Sequence, residues 1–477
     1  MQQNSREAFL FLSCFNKFKD KTLIIDKNDK KISYGEFFKS CILLKKNLEK
    51  KIKKNSKIFL ISDDSYLSFQ LTIVSLINSY ILIPIDPTFS KERLTKLKKI
   101  FKPNIIIRKK IKNFPKNNGA VNFNFSKDVK KKSFIVVLTS GTTGEPKGIL
   151  FSNQNYLSSA RSFSELVDYN EDTNIYHCLP THYNAGILNT FLSCVFSGSS
   201  IVIGEKITYK SLISFWNRPK QFNCNSIHLT PTIIASLLKL SSSNLEIKEH
   251  IKLYKTIITT GSYLYPSIQE NFYKIYKKRI QSVYGVTEVG GPISMQRWED
   301  TFEESSVGVH HKNVKIKLKK GKDGKKNILI KTNFMMEGYF TSKGIKKIKL
   351  KNKYFDTNDL GEYKNRVLYF FGRNKEIIKK SGELISLKMI ENEALKNKFV
   401  ENAAATGIKD ELYGEKICLF IQLNKIFDLS SDIKKINFYL NKKLKNNEMP
   451  SKIILVPKIP RTSSGKILKD KLVDLYL

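Results

Sequence analysis

Residues 57–107 read KIFLISDDSYLSFQLTIVSLINSYILIPIDPTFSKERLTKLKKIFKPNIII. Three short apolar runs in this stretch alternate with two segments of helical periodicity, in the order 57–62, 66–77, 81–85, 92–101 and 104–107. Apolar runs this short, separated by helices, are typical of parallel strands that helices cover on both faces. The stretch therefore indicates the α/β fold class.

The same alternation extends on the C-terminal side of this stretch. Apolar runs and helical segments follow one another at 174–179, 185–196, 200–203, 209–216, 226–229 and 232–240. The repeated alternation predicts parallel sheets sandwiched by helices.

After about residue 300 the pattern changes twice. Short strands separated by turns lie at 314–318, 327–331, 354–357 and 367–371. They predict a β subdomain over about 305–374. A new α+β unit then begins, with helices at 386–396 and 431–445 and apolar runs at 403–408, 416–423 and 453–456. We therefore predict a large N-terminal domain, residues 1–374, and a small C-terminal domain, residues 375–477.

The composition excludes a mainly disordered chain. The chain has 477 residues, of which 41% are hydrophobic and 11% aromatic, so a large core is possible. Residues 67–85 lack charge and are long enough to cross a bilayer. They contain six polar side chains and Pro84, so we expect a buried helix followed by a buried strand, and no membrane span.

The net charge of +40 raises the question of nucleic-acid binding. Nearly all of the positive charge comes from lysine, whereas arginine, which binds phosphate bidentately and reads guanine edges, is scarce. We interpret the lysines as solvated surface residues and expect no nucleic-acid partner. Such a surface would attract nucleotide phosphates, coenzyme A or an acidic carrier protein.

The six cysteines are scattered without the C-x-x-C spacing of a metal or redox motif. They indicate reduced thiols in a cytoplasmic protein, not a disulfide framework.

Residues 135–148 read IVVLTSGTTGEPKG, an apolar strand that runs into a loop rich in glycine and hydroxyl groups. Glycine lets successive backbone N–H groups point into one concavity, which is a good anion site. Thr139, Ser140, Thr142 and Thr143 add hydroxyl donors, and Lys147 adds a positive charge. The loop is not a Walker loop, because Pro146 stands where that motif has glycine. The alternative is a plain turn with a solvated lysine, but the density of donors favours a polyphosphate site.

This loop resembles the phosphate-binding signature of the adenylate-forming superfamily, which includes acyl- and aryl-CoA synthetases, nonribosomal adenylation domains and firefly-type luciferases. Four further segments resemble motifs of that family in the same order. They are SVYGVTE at 282–288, YFDTNDLG at 354–361, GRNKEIIK at 372–379 and PRTSSGKIL at 460–468. Weaker matches are ISYGEF at 32–37 and PIDP at 84–87. The resemblance spans nearly the whole chain and implies a fold with a mobile C-terminal domain.

The resemblance implies an ATP-dependent enzyme that joins a carboxylic acid to AMP and passes the acyl group to a thiol. The residues that it implies for ATP are Thr139, Ser140, Gly141, Thr142, Thr143, Gly144, Lys147, Gly261, Ser262, Tyr263, Tyr284, Gly285, Thr287, Asp359, Arg373 and Lys466. Thr287 would donate to the α-phosphate, and Glu288 would bind Mg²⁺. Tyr284 would pack along adenine, and Asp359 would accept hydrogen bonds from the ribose hydroxyls.

The resemblance implies that Lys466 is the central catalytic residue, which bridges the substrate carboxylate and the α-phosphate. Thr287, Glu288 and Lys147 would assist it. Lys375 stands at the position of the family's hinge. Gly382 would then line the tunnel for the pantetheine arm of coenzyme A or of a carrier protein. Without its surrounding motif, Lys466 would be read as one more surface lysine.

Several positions depart from the family pattern. Asn358 replaces a usual glycine, and we expect the turn to survive because asparagine tolerates the left-handed conformation. Tyr183 stands where many acyl-CoA synthetases have a gating histidine. His182 and His228 lie near predicted pocket walls, and core packing is an equally good interpretation of each. Residues 179–186 and 222–232 contain no acidic residue to hold an amino group, which favours an uncharged acyl or aryl acid.

The residues leave several functions open. The main hypothesis is an acid–thiol ligase that makes an acyl-CoA, and the closest alternative loads an acyl or peptidyl carrier protein. A non-catalytic protein that kept the fold is a third possibility, although the matching motif residues speak against it. A nucleic-acid-binding protein is the fourth, and a luciferase-type oxygenase has no residue in its favour.

Overall fold

The protein is described by a computed structural model. The model describes residues 4–108, 129–140, 146–240, 245–297, 303, 305–320, 326–348, 350, 352–373, 376–380, 383–410, 414–424, 429–462 and 467–477.

The helices, in chain order, are α1 Arg6–Lys17, α2 Tyr34–Glu49, α3 Ser65–Asn78, α4 Lys91–Phe101, α5 Asn153–Leu166, α6 Ser193–Ser197, α7 Tyr209–Ile213, α8 Asn217–Gln221, α9 Pro231–Lys239, α10 Leu245–Lys252, α11 Pro266–Tyr276, α12 Leu387–Leu395, α13 Leu429–Asn441 and α14 Lys469–Tyr476. A π-helix spans Ala185–Leu192, and a 3₁₀ turn spans Thr287–Val289.

The strands are β1 Thr22–Ile25, β2 Lys31–Ser33, β3 Lys57–Ile61, β4 Ile81–Ile85, β5 Ile105–Ile107, β6 Ser133–Ser140, β7 Pro146–Ser152, β8 Asn174–His177, β9 Ser200–Ile203, β10 Ser226–Leu229, β11 Thr256–Thr259, β12 Gln281–Val286, β13 Gly291–Met295, β14 Ser306–His310, β15 Val314–Lys320, β16 Lys326–Thr332, β17 Gly338–Thr341, β18 Gly344–Lys346, β19 Phe355–Lys364, β20 Val367–Arg373, β21 Ile377–Lys380, β22 Glu383–Ser386, β23 Val400–Asp410, β24 Gly414–Leu423 and β25 Lys452–Leu455.

Two large sheets form the N-terminal part, and the predicted α/β class is confirmed. One sheet has the strand order β18-β17-β7-β6-β4-β3-β5, and the other runs from β15 to β2 through thirteen strands. Strands β3, β4 and β5 pair in parallel, as do β8 to β12 where they are neighbours. The strands of 305–374 are divided between the two sheets, because β17 pairs with β7 whereas β14, β15, β16, β19 and β20 join the thirteen-stranded sheet.

The uncharged stretch 67–85 is a buried helix and a buried strand, as predicted. Helix α3 begins after Asp64, whose carboxylate accepts from the Leu67 N–H. It ends at Ser79, which is left-handed with a φ of +58°. Strand β4 follows, and among the described residues no helix is both long and apolar enough to cross a membrane.

The predicted helix over 185–196 has an unexpected geometry in its first part. Residues 185–192 form a π-helix, in which backbone bonds join residues five apart, and a short α-helix follows. The Ser193 N–H and its hydroxyl both donate to the Leu188 carbonyl. Periodicity cannot distinguish the two kinds of helix over eight apolar residues.

The C-terminal part has its own core. Strands β23, β24 and β25 form a sheet, and β21 pairs with β22. Helix α12 packs its buried residues Leu387, Ile390 and Ala394 among the apolar side chains of this sheet. The division at residues 374 and 375 stays a prediction, because both residues lie outside the described ranges.

Candidate active site

One cavity of about 1880 Å³ is lined by loops at the strand ends of the N-terminal part and by the segment before α14. Eleven of the predicted ATP and metal residues line it: Thr139, Lys147, Gly261, Ser262, Tyr263, Tyr284, Gly285, Thr287, Glu288, Asp359 and Arg373. Gly141, Thr142, Thr143, Gly144, Lys375, Gly382 and Lys466 lie outside the described residues, as does the side chain of Ser140. The structure therefore brings together motifs that are up to 234 positions apart in the sequence.

The two ends of the phosphate loop are fixed by strand pairing. Strands β6 and β7 are antiparallel, with Thr139 opposite Lys147. The Lys147 ammonium lies 5.7 Å from the ring centre of Tyr339 on β17. The Tyr339 hydroxyl donates to Glu288 Oε1 at 3.1 Å. One tyrosine thus contacts both the loop lysine and the predicted metal ligand.

Tyr339 was not predicted from the sequence. Burial and then the neighbouring Glu288 carboxylate raise the pKa of its hydroxyl, so this hydroxyl stays a donor at neutral pH. Its position depends on the pairing of β17 with β7, which places Tyr339 opposite Ile149. No spacing signal connects strands so far apart in the chain.

A buried carboxylate also lines the cavity. Asp359 is 3% exposed; its Oδ2 accepts from the Tyr284 hydroxyl at 2.7 Å, and its Oδ1 is 3.5 Å from Arg373 Nε. Burial raises the pKa of Asp359 to about 6, which Arg373 and Tyr284 oppose only in part. Within the described chain, Oδ1 accepts no hydrogen bond. The preceding Asn358 has a φ of +56°, so the expected left-handed turn is confirmed.

Gly261 shows why its position holds glycine. Its φ is +89°, and a Cβ built there would lie 2.2 Å from the Tyr183 hydroxyl. Tyr183, which stands in place of the family's histidine, therefore packs directly over the predicted adenine segment.

The two histidines near the predicted pocket walls differ in their surroundings. His182 lines the cavity, and its Nε2 lies 3.5 Å from the Asp86 carboxylate. Burial lowers the pKa of His182, so it is neutral at pH 7. His228 is fully buried and stacks on Phe163, so the core-packing interpretation holds for it.

The C-terminal part reaches this cavity close to the predicted catalytic lysine. Thr462 and Ile467, which flank residues 463–466, both line it. Arg461 and Ile467 pair as an isolated antiparallel bridge. Arg461 also donates to Asn402 Oδ1 at 2.8 Å and to the Thr232 hydroxyl of the N-terminal part at 3.4 Å.

A second buried carboxylate joins the two parts of the chain. Glu391 on α12 is 0% exposed and forms ion pairs with Lys388 at 3.1 Å and Lys469 at 2.6 Å. The Tyr265 hydroxyl from the N-terminal part donates to the same carboxylate. Burial raises the pKa of Glu391, but the two ammonium groups outweigh it and hold the pKa down at about 2. This cluster was also missed from the sequence.

The fold and the cavity together define a member of the adenylate-forming superfamily. Residues 11–340 match the family model of the AMP-binding enzyme, and residues 389–466 match that of the AMP-binding enzyme C-terminal domain. The chain therefore belongs to the AMP-binding enzyme family, and the resemblance read from its motifs is confirmed.

Known relatives fall in the same family. The chain is 27% identical over 348 residues to an oxalate–CoA ligase of Arabidopsis thaliana, a match that spans 71% of this chain and 66% of that protein, just under two thirds. Its fold is similar to ATP-bound MatB from Rhodopseudomonas palustris, with a TM-score of 0.83, 18% identity and 99% of each chain covered. It is also similar to the o-succinylbenzoate CoA synthetase MenE of Bacillus subtilis in complex with its acyl-adenylate, with a TM-score of 0.81, 18% identity and coverage of 99% and 98%. These two structures share the fold.

Proposed function

We propose that the chain is an AMP-forming acid–thiol ligase, which adenylates a carboxylic acid with ATP, releases pyrophosphate and transfers the acyl group to coenzyme A. The observation that carries this proposal is the single cavity on which Lys147, Glu288, Asp359 and the flanks of Lys466 converge. The curated relatives, which are CoA ligases, support the same reaction class.

The first half-reaction brings two anions together and stabilises charge on a five-coordinate phosphorus. Such catalysis depends on position and electrostatics. Lys147 and the hydroxyls of the loop that begins at Thr139 would hold the β- and γ-phosphates, and Thr287 would donate to the α-phosphate. Of these donors, Thr139, Lys147 and Thr287 line the cavity, which supports this assignment.

The residues present also fit Mg²⁺. Glu288 offers a carboxylate at the cavity wall beside Lys147, and Mg²⁺ is commonly held by one or two carboxylates together with water and substrate phosphates. Glu288 would hold the ion, whose charge neutralises the phosphates when it is bound. Tyr339 would fix the orientation of this carboxylate through its hydrogen bond.

The adenosine would lie against a different set of cavity residues. Tyr284 and the segment Gly261, Ser262 and Tyr263 would enclose the adenine. Asp359 would accept from the ribose hydroxyls through Oδ1, the oxygen that accepts no hydrogen bond from the described residues. Arg373 would keep that carboxylate oriented.

Lys466 would bridge the acid and the α-phosphate in the first half-reaction. Its neighbours Thr462 and Ile467 line the cavity, which supports this role. For thiol transfer, the C-terminal domain would turn about Lys375 and bring Gly382 to the pantetheine tunnel. The six thiols are unpaired, which supports a reducing, cytoplasmic compartment.

The test is a panel of carboxylic acids incubated with MgATP while pyrophosphate is measured, first alone and then with coenzyme A or a holo-carrier protein. We expect acid-dependent pyrophosphate release, and AMP plus a thioester once coenzyme A is added. Lys466→Ala should lower adenylation by roughly 100-fold or more, whereas Lys458→Ala, at an exposed nearby lysine, should leave it unchanged. No pyrophosphate with any acid would overturn the proposal, and transfer to the carrier protein alone would reassign the acceptor.

A further inference from the structure

Two asparagines line one wall of the cavity because of the π-helix. Asn184 is the residue before Ala185–Leu192 and already has helical dihedrals, and Asn189 is five positions further on. In an α-helix, residues five apart point about 140° away from each other. In a π-helix, the backbone hydrogen bonds join residues five apart, so residues at this spacing lie closer to the same face of the helix. π-Helical segments are frequent at functional sites. Both asparagines line the cavity.

The orientation of Asn184 is set by a buried tyrosine. The hydroxyl of Tyr156, which is 1% exposed, donates to Asn184 Oδ1 at 2.6 Å. The amide nitrogen of Asn184 therefore points the other way, toward Gly291. A Cβ built on Gly291, whose φ is +107°, would lie 3.4 Å from that nitrogen. The glycine thus leaves the space in front of the NH₂ group open.

Asn189 carries an unpaired buried polar atom. It is 3% exposed, and its amide oxygen Oδ1 accepts no hydrogen bond from any residue in the described ranges. A buried polar atom without a partner costs about 1–3 kcal/mol, so such groups are normally satisfied. An amide oxygen that lines a binding cavity and has no protein partner is available to a ligand that donates a hydrogen bond.

The wall around these amides is rigid and uncharged. His177 Nδ1 hydrogen-bonds the Thr190 hydroxyl at 3.0 Å, and that hydroxyl donates to the Gly186 carbonyl at 2.7 Å. The neighbouring cavity segments 183–189, 260–268, 282–287 and 291–292 contain no charged residue. The side chains of these segments are therefore polar or apolar but uncharged, although Asp86 and Arg93 line the same cavity.

We propose that this wall selects an acid whose acyl part carries an uncharged hydroxyl group, which donates to Asn189 Oδ1 and accepts from the NH₂ group of Asn184. The inference rests on the proposed function and names the substrate class of that site. A plain alkyl chain of the same length would leave Asn189 Oδ1 buried and unpaired. Sites built to hydrogen-bond a substrate discriminate strongly against analogues that lack the group.

The test compares acids in matched pairs that differ by a single hydroxyl group, over chain lengths from four to ten carbons. The measurement is kcat/KM for acid-dependent pyrophosphate release. We expect the best hydroxy acid to exceed its plain counterpart by roughly 10- to 100-fold. In Asn189→Leu this ratio should fall at least tenfold, because a side chain of similar size replaces the acceptor.

A matched control and a second variant keep the result interpretable. Asn16→Leu, at an exposed residue of α1, should leave the ratio unchanged. Asn189→Ser keeps a polar group and should give an intermediate ratio, which separates loss of the acceptor from misfolding, and circular dichroism checks the fold of each variant. If plain acids are activated as well as hydroxy acids and Asn189→Leu does not alter their ratio, this inference is wrong while the ligase activity stands. If no acid releases pyrophosphate, the proposed function itself fails.

Discussion

Two buried carboxylates beside the same cavity have opposite protonation behaviour. Asp359 faces one exposed arginine and one tyrosine hydroxyl, and burial raises its pKa to about 6. Glu391 is more deeply buried, but two lysines hold its pKa at about 2. The difference shows that burial alone does not set the charge state, because the number of cations at close range decides it.

The difference also separates two uses of a buried acid. Glu391 has its oxygens satisfied by Lys388, Lys469, Tyr265 and the Ala405 N–H, so it holds two parts of the chain together. Asp359 keeps one oxygen without a hydrogen bond from the described residues. An incompletely satisfied acid is suited to bind a ligand, and a fully satisfied one is suited to hold structure.

Removing the Glu391 carboxylate, which has all its hydrogen-bond partners, should have the largest effect, on the free energy of unfolding. Glu391→Ala leaves Lys388 and Lys469 without their buried partner, and we expect a loss of about 3–5 kcal/mol in the free energy of unfolding of the C-terminal part. Urea unfolding followed by hydrogen-exchange mass spectrometry of residues 387–423 measures it. Glu393→Ala, which breaks a pair on the exposed side of the same helix, should cost less than about 1 kcal/mol. Equal losses of unfolding free energy in the two variants would show that the Glu391 cluster does not stabilise the C-terminal part more than a surface ion pair does.

Neutralising the unsatisfied carboxylate should affect ligand binding more than folding. Asp359→Asn should raise the KM for ATP by roughly 10- to 100-fold, because hydrogen bonds to a charged acceptor are the strong ones. At the same time its stability should increase relative to the parent as the pH rises from about 4 to about 6, because ionising the buried Asp359, whose pKa is raised to about 6, costs the parent stability across that window. Steady-state kinetics and thermal unfolding across this pH range test both. A variant that loses stability at pH 8 would contradict the assignment.

The pH dependence of kcat/KM for ATP should also be set by the Asp359 carboxyl group. With a pKa of about 6, Asp359 loses its charge as the pH falls below 6, so kcat/KM for ATP should fall there. The Tyr284 hydroxyl favours the ionised form, and Tyr284→Phe should therefore shift the inflection to higher pH. In Asp359→Asn the inflection should disappear, which separates it from titration of the nucleotide. An inflection that persists in this variant belongs to another group.

The smallest effect is expected at the phosphate end. Tyr339→Phe removes one hydrogen bond to Glu288, so half-saturation by Mg²⁺ should require about 2- to 10-fold more ion, with the parent rate recovered at saturation. Tyr363→Phe, which removes a hydroxyl bonded to His310, serves as the matched control and should leave the Mg²⁺ requirement unchanged. If Tyr339→Phe and Tyr363→Phe reach half-saturation at the same Mg²⁺ concentration, Tyr339 does not position Glu288.

The sequence predicted what depends on local pattern. Strands at 57–61 and 81–85, the buried helix between them and the left-handed Asn358 all follow from residue type and spacing. The motifs indicated eleven cavity residues because each is a contiguous segment. Tyr339, Glu391 and Asn189 were missed for physical reasons. The first depends on distant strand pairing, the second on Tyr265 from 126 positions away, and the third on a π-helix that apolar periodicity cannot reveal.

The position of strand β17 bears on which part of the chain would bind the phosphates of ATP in the two half-reactions. Lys147, Tyr339 and Glu288 all belong to the N-terminal sheets and the turn beside them, and the side-chain contacts described above join these three residues to one another. In the proposed reaction, the contacts that bind the β- and γ-phosphates would therefore not change when the C-terminal domain rotates. The nucleotide could then stay bound while the C-terminal domain changes position between the two half-reactions.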